Sequence, residues 1–250
     1  MLLRQTLLYF PAQFLGPVFQ FVSILAWTHY LSPEHMGVVA LVTAVQELAL
    51  AATLAWFTHY TIRYAASFAG ADKTYLDTET AIIAVSALAM VAIVLTLPLY
   101  VETEWSWPLI AAALAQSVGR VAVAQWSDRA RALGDPLTYS ILQIGWPVGG
   151  FAIALALVSL IAPTATMVLT GYAIAQVLSL VAVAGRIAIG REPLRYGRDL
   201  ASKAMRYAAP LVVGSVLLWL ANNGIRFVVE WRDGAAAVGQ LSEGGRGRPR

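Results

Sequence analysis

The stretch "WLANNGIRFVVEW" (219–231) decides how this chain is read. It continues an apolar run that begins near Leu211, yet it places Asn222, Asn223 and Arg226 inside that run. An arginine at the centre of an inserting helix costs about 2.5–3.5 kcal/mol. The apolar residues between Leu211 and Val229 each return about 0.3–0.6 kcal/mol, on the order of 3–6 kcal/mol together. The segment therefore crosses a membrane with no margin. Asn222, Asn223 and Arg226 share one helical face, because they lie three and four residues apart.

The rest of the chain has the same character. It is 59% hydrophobic and 12% charged over 250 residues, whereas soluble domains are about 45–50% apolar and about 25% charged. These values exclude an ordinary soluble domain and imply an integral membrane protein. The absence of cysteine excludes disulfides, thiolate metal sites and a cysteine nucleophile. Arg4 precedes an apolar run too long for a signal peptide, so that run reads as a permanent first span.

Seven stretches reach the ~20 apolar residues that a spanning helix needs. They are 8–30, 37–61, 80–100, 107–126, 137–161, 165–185 and 208–229. The expected fold is all-α, a polytopic transmembrane helix bundle of about seven spans. Basic residues set its orientation. Arg4, Arg63, Lys73, Arg129, Arg131, Arg186, Arg191, Arg195, Arg198, Lys203 and Arg206 fall at the N-terminus and in the second, fourth and sixth connections. The first, third and fifth connections hold no Lys or Arg. Cytoplasmic loops collect such charge, so the N-terminus is expected in the cytoplasm. Tyr100, Trp105 and Trp107 flank the third connection as an interfacial aromatic belt would.

The sixth connection sets Tyr196, Leu200, Ala204 and Tyr207 on one helical face and Arg195, Arg198 and Arg206 on the other. This pattern predicts a helix lying on the cytoplasmic leaflet, held by anionic lipid; a solvated basic linker is the alternative. The expected organisation is a six-helix bundle over 1–206, a seventh span over 207–230, and a disordered tail over 243–250.

Other polar residues lie within the spans. Gln116 and Arg120 share a face of the fourth span. Glu47 lies mid-span in the second, where it would be either neutral or paired with an arginine such as Arg120, and His59 and Arg63 follow near that span's end. Arg120, Arg226, Asn222, Asn223, Gln116, Glu47, His59 and Arg63 are therefore the candidate lining of a substrate cavity; the alternative for Arg226 is that it snorkels to the interface beside Glu230 and Arg232. Gln13, Gln20, Gln143 and Gln176 read better as hydrogen-bonding glue between helices. "GWPVGG" (145–150) must kink or break the fifth span at Pro147, and its glycines permit close helix approach. No nucleotide-binding, nucleophile-elbow or zinc-protease motif occurs, and His29, His35 and His59 lack metal-ligand spacing. No enzyme activity, cofactor, metal or nucleic-acid partner is expected.

Two stretches resemble one family. "LSPEHMGVVALV" (31–42) resembles the turn after the first helix of bacterial polysaccharide exporters. "APLVVGSVLLWLANNGIRFVVEWRDGAAAVGQLS" (209–242) resembles their seventh helix and the turn after it, with Arg226, Phe227 and "AAAVGQLS" as the matching features. The family is that of oligosaccharide flippases (Wzx-like), within the multidrug/oligosaccharidyl-lipid/polysaccharide exporters. Ile225 stands where that pattern has an aspartate. The resemblance implies a multi-pass protein of the bacterial inner (plasma) membrane that exports a lipid-linked oligosaccharide for lipopolysaccharide or exopolysaccharide. Membrane lipid and glycan-assembly proteins would be its partners. Family members have two pseudo-symmetric halves, and this chain matches the first half and the start of the second. It is therefore expected to be truncated, with an out-of-frame tail. A membrane-embedded enzyme of polysaccharide assembly and an inert truncated product are the alternatives.

Overall fold

The computed structural model describes residues 2–68 (side chains from residue 11), 72–101, 104–234 and 237–238. The expected tail over 243–250 lies outside them. Every regular element among the described residues is helical. The order is α1 (Leu2–Tyr30), α2 (Pro33–Thr53), α3 (Ala55–Tyr64), α4 (Lys73–Val94), α5 (Leu97–Tyr100), α6 (Trp107–Ala132), α7 (Pro136–Ile144), α8 (Gly150–Leu160), α9 (Ala165–Val183) and α10 (Arg198–Asp233).

Six of these units are long and apolar enough to cross a membrane: 33–53, 73–100, 107–132, 136–160, 165–183 and 198–233. The expected first span is α1, outside those six; Pro11, Gln13, Pro17 and Gln20 interrupt its apolar surface. The second span does not run straight to its end. It breaks at Leu54, where the Trp56 indole donates to the Thr53 carbonyl, and resumes as α3.

Local chemistry explains the helix starts. Ser32, Asp72, Ser106, Asp135 and Thr164 each accept a hydrogen bond from a backbone N–H of the following turn, and Pro follows Ser32 and Asp135 directly. The Asp72 cap starts α4 at Lys73, earlier than the expected residue 80. Likewise α6 runs on to Ala132 rather than ending at 126. Both extensions carry charged residues inward.

The fifth span is interrupted where Pro147 required it. Residues 145–149 form a π-helical turn between α7 and α8, since proline offers no N–H to the α-helical ladder. This interruption serves packing. Gly145 lies against Ser179 and Gly149 against Ala175, both on α9. Further along, Gly171 of α9 presses on the backbone of Ala154 in α8, where no Cβ fits. Lipid is as apolar as leucine, so helices in a membrane gain mainly from such close approach and from hydrogen bonds between them. Tyr172 adds one of these bonds, donating to Ser23 of α1 at 2.9 Å.

The main core lies among α2, α3, α4 and α6, around Leu41, Ala49, Phe57, Tyr75, Met90 and Val121. The expected surface helix of the sixth connection is not a separate element. Its residues form the first turns of α10, which runs unbroken through Pro210. The periodicity was legible, but its apolar face meets protein: Ala204 is fully buried, and the Tyr207 ring lies 5.5 Å from that of Tyr64. α10 runs through the expected boundary at residue 206 without a break.

Candidate functional site

The eight candidate residues divide into two groups. Arg120 on α6 sits over the indole of Trp146, with its guanidinium carbon 4.2 Å from the ring centroid. The π-turn carries that tryptophan, so the break in the fifth span also holds the arginine by a cation–π contact. Glu47 on α2 lies within electrostatic reach of both Arg120 and Arg226. Arg120 also feels Asp128, and Asp128 feels Arg131 and His59. Arg226, Glu47, Arg120 and Asp128 thus alternate in sign across α10, α2 and α6, with His59 of α3 beside Asp128. Glu47 and Asn222 are exposed, while Arg226 and His59 are half-buried. Trp219 seats α10 at this place by donating to the Ala44 carbonyl of α2 at 2.8 Å.

The other candidates are held elsewhere. Gln116 is buried between α2 and α6, where Gln46 donates to it and also to Ser117 at 2.7 Å. It joins helices in the way expected of the other glutamines. Asn223 is buried and donates back to the Trp219 carbonyl of its own helix at 3.4 Å, so Asn222 and Asn223 do not act as one pair. Arg63 is exposed near the end of α3. Gln176 is fully buried on α9 against Gly119, and its amide makes no hydrogen bond among the described residues.

A second polar cluster was missed. Glu79 on α4 and Arg129 on α6 form an ion pair, with side chains 1% and 6% exposed. Arg129 spends another nitrogen on the Ala188 carbonyl at 2.8 Å. Gln125 donates to Glu79 at 2.9 Å and to Thr61 at 3.0 Å, and Thr58 donates to Gln125 at 2.9 Å. Tyr75 completes the set, 3.0 Å from Thr61 and 3.4 Å from Glu79. Every carboxylate oxygen of Glu79 is thus partnered, which a buried charge requires. By the apolar runs alone, Arg129 falls in the fourth connection and Glu79 in the second, outside the spans. The only signal was Asp72, a capping residue that draws Glu79 into the helix.

The even-numbered connections meet at this end. Arg186 donates to both oxygens of Asp135 at 3.1 and 3.2 Å and to the Thr138 hydroxyl at 3.0 Å. Partial burial opposes ionisation of Asp135. The hydrogen bonds from the Thr138 hydroxyl and amide and from Arg186, with the Arg186 charge, outweigh it and hold the carboxyl below its usual range. A depressed carboxylate contributes stability in full above the unfolded value of about 3.9 and loses it as pH falls through the folded value. Asp135→Asn is therefore expected to unfold at a lower temperature than the native chain at pH 7. The two should converge in acid, once pH has fallen through the folded value and the native carboxyl is protonated as well. A gap that persists unchanged in acid would show that charge is not the source.

Two cavities also open at this end and not beside Arg120. Asp135, Arg186 and Arg129 bound one, while Tyr60, Thr74, Arg198 and Lys203 bound the other. No protein-family model, curated protein or solved structure matches the chain.

Proposed function

We propose that this chain takes part in carrying an anionic, lipid-linked saccharide across the bacterial inner membrane, as an oligosaccharide flippase of the exporter type. The observation that carries the reading is the row Arg226–Glu47–Arg120, set on three different helices, each long and apolar enough to cross a membrane. Ionisable residues inside a membrane are expensive, and they mark pathways more often than packing. Guanidinium suits a pyrophosphate because its fork matches the oxygens of the anion. Glu47 keeps the two arginines from standing as bare cations when no anion is bound. The resemblance of residues 31–42 and 209–242 to the polysaccharide exporters supports the same reading, and the first half of such a protein would present this face to the second.

The test is binding of a polyprenyl-pyrophosphate oligosaccharide to the purified chain in lipid nanodiscs. Arg120→Ala and Arg226→Ala are each expected to weaken binding about tenfold or more, the scale of a lost charge-assisted hydrogen bond. Their unfolding temperatures should stay close to that of the native chain. Native-like affinity in both variants would remove the arginines from the site.

A further inference from the structure

Helix α10 carries Arg226, yet it follows a connection from 184 to 197 whose one regular piece is a 3-10 turn at Pro193–Arg195. That connection is held at four points. Arg129 donates to the Ala188 carbonyl at 2.8 Å. The Gly190 amide donates to the Thr80 hydroxyl at 3.0 Å, the Glu192 amide to the Asp77 carboxylate at 2.9 Å, and the Gly197 amide to the Thr78 hydroxyl at 2.8 Å. All three side-chain acceptors come from one turn of α4, "DTET" (77–80), and its remaining member, Glu79, holds Arg129. Gly190 lies so close to the backbone of Leu76 and Asp77 that no Cβ would fit.

These groups read backbone and not side chains. They fix the path of the chain whatever residues the connection carries, and the last of them, at Gly197, is the residue before α10 begins. We infer that this turn of α4, together with Arg129, is a latch that sets where α10 sits, with Glu79 and Arg129 as its positioning residues. The latch holds α10 against α3 and α2, and so keeps Arg226 within reach of Glu47. It draws on the functional reading only for what α10 carries; the latch itself concerns the place of a helix.

The chain has no cysteine, so spin labels can be placed without background. Leu88→Cys on α4 and Leu217→Cys on α10 suit this purpose, being 70% and 60% exposed. The full chain in nanodiscs is compared with the double variant Glu79→Gln/Arg129→Met, which removes the hold on Ala188 without stranding a buried charge. Amide exchange over 188–197 is expected to quicken roughly tenfold or more, and the label-to-label distance distribution to broaden or shift. If that variant does not fold, Thr78→Val/Thr80→Val removes two of the holds and is expected to act in the same direction. Native exchange and native distances in a folded variant would overturn the latch. Faster exchange with an unchanged distance distribution would also overturn it, since α3 and α2 alone would then seat α10. No saccharide enters the measurement, so its failure is separate from failure of the transport reading.

Discussion

Replacing Arg129 by alanine is expected to destabilise the chain by about 3–5 kcal/mol, because it leaves the Glu79 carboxylate buried without its countercharge. Glu79 is 1% exposed, and neither Gln125 nor Tyr75 brings a charge to replace the guanidinium. The Ala188 carbonyl loses its donor in the same step. Glu79→Ala should cost a similar amount for the mirror reason. By contrast, a neutral pair of similar shape at both positions is expected to come close to the native stability, since replacing a buried ion pair is often nearly neutral. Equilibrium unfolding in detergent micelles measures all three. A loss in Arg129→Ala no larger than that seen for an exposed arginine such as Arg131 would mean that water reaches Glu79.

Gly171→Val is the second large effect. The valine Cβ would fall on the backbone of Ala154, which cannot rotate away as a side chain can. Overpacking typically costs about 1–3 kcal/mol, and more where backbone must move. In a membrane the separation of α8 from α9 also forfeits the dispersion contacts that hold the helices together. The expected outcome is a fall of at least 2 kcal/mol, larger than that of Gly149→Val, where the nearest atom is the Ala175 side chain at 3.5 Å. Equal falls in the two variants would place the strain elsewhere than at the Ala154 backbone.

Much of the architecture was legible because it depends on local sequence. Apolar runs of the right length gave six of the expected spans among the described residues, and Pro147 gave the break in the fifth. The basic residues of the even-numbered connections do converge, as Lys73–Glu192, Arg129–Ala188 and Arg186–Asp135 demonstrate. What was not legible is who meets whom across the bundle. Glu79 and Arg129 look like loop charges because each alone would be too costly to bury, and the partner that makes burial tolerable is 50 residues away. Gln116 and Arg120 share a helical face in the sequence, yet one is taken by Gln46 and the other rests on Trp146. Helical spacing tells which residues look the same way, but not what they look at. The end of the sixth connection failed for a related reason: its amphipathic pattern was read as lipid-facing, whereas Tyr60 and Tyr64 of α3 supply the apolar surface that it covers.

The π-turn at 145–149 acts on the fifth span as a phase shift. One extra residue in a helix of 3.6 residues per turn rotates everything beyond it by roughly 100°. On the near side of the turn, Tyr139 and Leu142 are among the buried residues; on the far side, Ala154 and Val158 are. In an uninterrupted helix these two sets would point roughly 100° apart. With the extra residue both sets fall on one stripe, so the span keeps a single buried face on either side of the turn. The turn that restores the stripe is also where Trp146 lies beneath Arg120, so the offset that keeps the buried face continuous also sets the bearing of that cation.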